Sequence, residues 1–236
     1  MQIFTIGHSN HSIDKFLTLL KQHGVTTIVD VRSSPFSRYS PHFNQASLKS
    51  SLSHENISYV FLGEQLGARP KNLECYVEGK ARYELIAATE AFSTGLERIF
   101  KGAENYQIAL MCAEQDPITC HRAILVCKHL KNAGIGIVHI LKNGDLETHE
   151  RLEYRLLKLH NLSDQLPSSS ISLQLSQSET QLRLFDLDTF APNISSEISF
   201  GKYYTTEELV EQAYQLQGEK IAYVEKLKSI QHFRLS

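Results

Sequence analysis

From residue 2 to residue 160, short apolar runs alternate with amphipathic stretches. Residues 2–7 form a short apolar strand pattern. Ser12 then stands where a helix N-cap belongs, ahead of Ile13-Asp14-Lys15-Phe16-Leu17-Thr18-Leu19-Leu20 at helical spacing, and Gly24 closes the segment. Residues 26–31 are rich in β-branched side chains, as in a buried parallel strand. The same reasoning predicts a helix over 45–55, a strand over 57–62, one long amphipathic helix over 83–101 and a strand over 106–111. It then predicts a helix over 120–132 stopped by Gly134, a strand over 136–141, and a helix over 149–160 with Leu152, Leu156 and Leu159 on one face. Strands that alternate with helices pair in parallel through crossovers, so the expected architecture is a three-layer α/β fold: a mainly parallel sheet with helices on both faces, plus a C-terminal extension.

The extension announces itself by composition. Beyond residue 163 the chain turns to Ser, Gln and Leu without helical periodicity, as a tether does. Leu209, Ala213, Leu216, Ile221, Val224 and Leu227 then suit one or two helices packing on the body. The reading is a core domain over 1–162, a tether over 163–198 and a helical segment over 199–236.

Charge narrows the function classes. Lys and Arg number 24 against 26 Asp and Glu, a net charge of −2, so no bulk attraction to nucleic acid follows. There is no apolar leader pattern at the start and no run that could span a bilayer. With four cysteines (Cys75, Cys112, Cys120, Cys127), this favours a reducing cytoplasm, no membrane partner, and uses for the thiols other than disulfides.

Polar residues gather where the predicted strands end: Gly7-His8-Ser9, Asp30-Val31-Arg32-Ser33, Gly63-Glu64 and Cys112-Ala113-Glu114. In an open parallel sheet those ends share one edge, where distant segments converge. The segment Cys112-Ala113-Glu114-Gln115-Asp116-Pro117-Ile118-Thr119-Cys120-His121-Arg122 is the densest in chemistry. Thr119 is placed to cap the following helix so that its free N–H groups, with His121 and Arg122, face an anion. The candidate catalytic residues are Glu114, Asp30, Cys112 and His121; the candidate anion binders are Arg32, Arg122, His8, Ser9 and Cys120. Each has a plainer reading. Asp30 serves turns, or pairs with Arg32 to aim its guanidinium; His8 fills a turn; Glu114 completes a capping box; Asp116-Pro117 shapes the loop; Cys127 is a core thiol. A cysteine-phosphatase loop is excluded by spacing, since Ile118, not Arg, stands six places after Cys112, and rhodanese-like sulfur transfer is weakened for the same reason. Cys112, Cys120 and His121, with or without His8, offer metal-ligand types but lack paired Cys-x-x-Cys or His-x-x-x-His spacing, so no metal is assigned and no cofactor is identified.

Thr5-Ile6-Gly7-His8-Ser9, Asp30-Val31-Arg32-Ser33-Ser34-Pro35, Leu62-Gly63-Glu64-Gln65-Leu66-Gly67 and Cys112-Ala113-Glu114 with Asp116-Pro117 and Cys120-His121-Arg122 together resemble the family catalogued as domain of unknown function 488, over about residues 1–160. Gly144-Asp145-Leu146-Glu147-Thr148-His149-Glu150 is also similar to it, with His149 and Glu150 either starting a helix or completing the pocket. The third motif departs from the pattern at Ala68, where many members have a second glycine. The resemblance implies an α/β fold and a shared pocket, and brings no reaction with it.

Three classes of function remain. The first is a hydrolase-like enzyme acting on a nucleotide, nucleic acid or other phosphate-bearing substrate by carboxylate acid/base chemistry. The second is a replication or repair accessory module. The third is a thiol-dependent redox or sulfur-transfer protein. The accessory reading rests on Gln181-Leu182-Arg183-Leu184-Phe185, which resembles the peptide by which bacterial proteins dock on the DNA-polymerase sliding clamp; an edge strand is the plainer reading of the same alternation.

Overall fold

The computed structural model describes residues 1–166 and 204–225. Five strands run parallel: β1 (Gln2–Gly7), β2 (Thr27–Asp30), β3 (Ser58–Phe61), β6 (Ile108–Cys112) and β7 (Gly136–Ile140). Their spatial order is β3-β2-β6-β1-β7, and β8 (Leu146–Thr148) adds antiparallel to β7. A separate hairpin pairs β4 (Tyr76–Val77) with β5 (Lys80–Ala81). β6 lies between β2 and β1 and is buried along its whole length, as an all-apolar strand in the middle of a covered sheet should be.

The two-residue repeat of the strands sorts their side chains into two cores. Ile108 and Leu110 of β6 join Ile3 and Val29 beneath α5 (Glu90–Ala103) and α6 (Lys128–Asn132). Ala109 and Met111 join Ile6 and Ile28 beneath α1 (Ile13–Gln22) and α2 (Gln45–His54). Ser12 caps α1 as expected, its hydroxyl accepting from the Lys15 N–H. A third cluster packs α7 (His149–Leu159) and α8 (Thr206–Ile221) over Ile118 and Ile124, and Gln217 of α8 donates to the Ile118 carbonyl. The C-terminal helix therefore braces the turn that follows β6.

The structure departs from the periodicity in four places. The helix expected over 83–101 is two, α4 (Tyr83–Ala87) and α5, because the Thr89 hydroxyl donates to the Ile86 carbonyl while accepting from the Phe92 N–H, ending one helix and capping the next. The helix expected over 120–132 begins as a π-helix over Arg122–Cys127, a wide turn that is buried along its length and merges into α6. Thr119 does not cap it: Asp116 caps a 3-10 turn over Pro117–Thr119, and Thr119 donates to the Asp116 carbonyl. β8 and the β4/β5 hairpin are two or three residues per strand, too short to leave a periodic signal. Residues 163–165 form a 3-10 turn; most of the tether, including Gln181, Leu182, Leu184 and Phe185, lies outside the described residues, as does the chain beyond 225. Among the described residues no helix is long and apolar enough to cross a membrane.

Candidate functional site

The carboxyl ends of β2, β6 and β1 are neighbours, so the polar segments after them do converge. The β1 end is stitched to the β6 end by the His8 N–H to the Cys112 carbonyl (2.9 Å) and the Ser9 N–H to the Ala113 carbonyl (2.8 Å). The crossing is so close that a Cβ at Gly7 would lie 1.9 Å from the Glu114 carbonyl oxygen, and one at Gly63 would lie 1.9 Å from that of Arg32. Two motif glycines are thereby explained by contact. Gly7→Ala is expected to push the Glu114 peptide away and cost about 2 kcal/mol, the usual scale of overpacking, read as a lowered midpoint in urea unfolding. Ser9 sits at φ 37°, a strained value for a residue other than glycine, of the kind that collects at functional edges.

The edge carries two charged clusters, one on each side of Val31. On the α1/α2 side, Asp30 is fully buried and accepts from the Arg32 N–H, Nε and Nη2 and from the Tyr59 hydroxyl. Arg32 also donates to the Phe43 carbonyl and to His8 Nε2. Because a guanidinium only donates, His8 must accept at Nε2 and carry its proton on Nδ1, which donates to the Ser9 carbonyl. Burial, with the Arg32 charge next, lowers the His8 pKa to about 4, so the ring is neutral where it stacks on Phe43. The Asp30-x-Arg32 ion pair anticipated from sequence is present, and four of the five guanidinium N–H groups are used within the cluster.

On the α5/α6 side the turn after β6 folds back on itself. The Sγ atoms of Cys112 and Cys120 each lie 3.1 Å from Glu114 Oε2, and Cys112 Sγ lies 3.6 Å from His121 Nδ1. Cys112, Cys120 and His121 present their ligand atoms within 4.8 Å of one another. His121 Nε2 is 3.0 Å from the Val31 carbonyl, which can only accept, so Nε2 carries a proton and Nδ1 faces the sulfurs. Burial alone would raise the Cys120 pKa, but the hydrogen bond with Cys112, the Arg122 charge and His121 hold it well below the ordinary thiol range. Burial pushes Cys112 the other way, reinforced by Cys120. Glu114 is also raised, by desolvation and then by the Cys120 charge. The two sulfurs are buried, and the Glu114 carboxylate lies against both of them.

Arg122 is placed differently from the sequence expectation. Its guanidinium is wholly buried and donates to the carbonyls of Glu114 (2.6 Å) and Gln115 (3.2 Å) and, at 3.4 Å, to the Thr5 hydroxyl. Arg122 thus holds the turn as framework for the cluster, with three of its five N–H groups committed there. Glu114 likewise forms no capping box; its carboxylate belongs to the thiols.

A buried network behind the site was not foreseen. Thr5 Oγ1 and His139 Nδ1 are 2.8 Å apart, His139 Nε2 and His149 Nδ1 3.0 Å, His149 Nε2 and the Tyr214 hydroxyl 2.8 Å, and that hydroxyl donates to Glu153. Arg122 can only donate at one end and a carboxylate can only accept at the other, so every proton in the chain points from Arg122 toward Glu153. Thr5 and His139 are cross-strand partners in the middle of apolar β1 and β7, a signal that was in the sequence. His149 opens α7, the first of its two expected places, and joins this network.

The geometry defines an α/β protein with a sulfur, imidazole and carboxylate cluster at the carboxyl edge of its parallel sheet. Residues 12–128 match the family described as Domain of unknown function DUF488, and the chain thus carries a domain of that family. The match includes the motifs at 30–35, 62–67 and 112–122; those at 5–9 and 144–150 fall outside it. No curated protein and no solved structure matches the chain.

Proposed function

We propose that this protein is a metal-dependent enzyme in which Cys112, Cys120 and His121 hold a zinc ion and Glu114 takes the proton from a water bound in the fourth position. The observation that carries this reading is the donor set itself: two sulfurs and one imidazole nitrogen within 4.8 Å. Zinc bonds of about 2.3 Å to sulfur and about 2.1 Å to nitrogen, at a tetrahedral angle, put the two donors about 3.6 Å apart, and Cys112 Sγ stands 3.6 Å from His121 Nδ1. A backbone carbonyl that orients the other ring nitrogen is the usual outer partner of a metal-bound histidine, and Val31 supplies it. Wholly buried Arg122 would offset the charge of two ligating thiolates.

Three protein ligands and an open position are the arrangement of catalytic rather than structural zinc, and a bound water of lowered pKa beside a carboxylate suits hydrolysis. This keeps the acid/base role expected of Glu114 and gives the thiols a part in it. It fits better than an anion pocket built on Arg122 and Arg32, most of whose donors are engaged.

Cobalt(II) substitution tests the reading. The wild type and Glu114→Gln are expected to show sulfur-to-cobalt charge transfer and intense tetrahedral visible bands, and Cys112→Ser and Cys120→Ser to lose them. Bands that survive both serine variants would sink the proposal. Absent bands together with ready alkylation of both thiols would return the thiol-transfer reading to first place.

A further inference from the structure

The loop that leaves β2 toward this edge carries cations and no carboxylate. Between Asp30 and Glu55 there is no carboxylate, while Arg32, Arg38, His42 and Lys49 fall in the same stretch of a chain whose net charge is −2. Two aromatic side chains stand out of this loop: Phe36 is 64% exposed and Tyr39 98%, with exposed Arg38 between them. They are not loose. The Ser37 N–H donates to Asn44 Oδ1 (2.7 Å), the Ser40 N–H to Ser37 Oγ (3.1 Å) and the Gln45 N–H to the Pro35 carbonyl (3.0 Å), while Phe43 anchors the loop in the core. A second cationic segment lies against it, since the Arg69 N–H donates to Ser33 Oγ at 2.9 Å and Arg69 is exposed. Large aromatic side chains held in water by an ordered loop cost solubility and contribute nothing to the core, which marks a contact surface.

We infer that this loop, through Phe36, Arg38 and Tyr39 with Arg69 beside it, binds single-stranded nucleic acid. The unpaired bases stack on the two rings and the phosphates meet the two guanidiniums. Stacking requires bases free of a duplex, and an aromatic-cation-aromatic series matches the alternation of base and phosphate along a single strand. Charge complementarity here is local, so the salt dependence is shallow: two phosphate contacts give a slope of log K against log salt of about −1.4. As the substrate class of the metal centre, this inference rests on the reading above; as a binding surface it is tested separately.

The experiment is fluorescence anisotropy of the full chain with labelled oligothymidylate and oligouridylate, against a duplex of equal length. The wild type is expected to prefer the single strands. Phe36→Ala and Tyr39→Ala are each expected to weaken binding about tenfold, and Arg38→Ala to weaken it less and flatten the salt slope. All three sites are exposed, and unchanged thermal unfolding of the variants confirms that the fold is intact. Single-strand binding without bound metal would overturn only the metal centre. Bound metal without single-strand binding, equal binding of duplex, variants that bind undiminished, or full competition by polyglutamate would overturn this inference.

Discussion

Replacing Arg122 with alanine is expected to lower the unfolding free energy by about 3–5 kcal/mol, the range for breaking a buried charged network. The side chain is fully buried and is the largest such side chain among the described residues. Its removal leaves the part-buried Glu114 and Gln115 carbonyls without their donors and opens a cavity beneath the turn. It also removes the cation whose charge acts on both sulfurs, so zinc affinity at the proposed site is expected to fall together with stability. Arg122→Lys should recover only part of either, because an ammonium cannot serve two divergent carbonyls from one planar fork. Urea denaturation of the three proteins decides the matter; a loss below about 1 kcal/mol for the alanine variant would place Arg122 outside the framework.

Acid is expected to destabilise the fold through the two buried histidines behind the site. Burial lowers the His149 pKa to about 3, with the Lys131 charge adding to it; burial lowers His139 well below its ordinary value, with His149, Arg122 and Arg155 adding. Tyr214 and Glu153 face His149, and Thr5 faces His139. An unfolded histidine takes up its proton near pH 6.5, while these two stay neutral in the folded chain. Below pH 6.5 the unfolded state therefore binds more protons, so the stabilisation is complete above pH 6.5 and is lost as the pH falls toward 3. For His149 alone the loss by pH 4.5 is about 2.7 kcal/mol, at 1.36 kcal/mol per unit. Glu114, whose pKa is raised, works in the opposite sense: its contribution is present at low pH and is lost as the pH rises through its folded value. His149→Gln keeps an acceptor and a donor without a titrating group, so its stability should fall less steeply over this range. Parallel pH profiles for the variant and the wild type would refute the assignment.

The framework of the fold was legible because five strands run from apolar interior to polar end, and one buried parallel strand such as β6 needs no other cue. Convergence at one edge followed from the parallel order, and Gly7 and Gly63 were visible as motif glycines before contact explained them. Cys112, Cys120 and His121 were visible as metal-ligand types, but their convergence was not. Cys112 and Cys120 are eight positions apart and fail every contiguous-knuckle rule, but a 3-10 turn capped by Asp116 and the close crossing at Gly7 bring them together. Arg122 was misplaced because sequence reports a charge and not the carbonyls it will meet. Helix 83–101 was misread because one threonine, Thr89, outweighed the periodicity on either side of it.

The metal content of the freshly purified, reduced full chain tests the central claim most directly. The account predicts one zinc ion per chain by elemental analysis, retained in Glu114→Gln and absent from Cys120→Ser. Wild-type protein that remains metal-free after incubation with zinc, with its thiols verified as reduced, would contradict it.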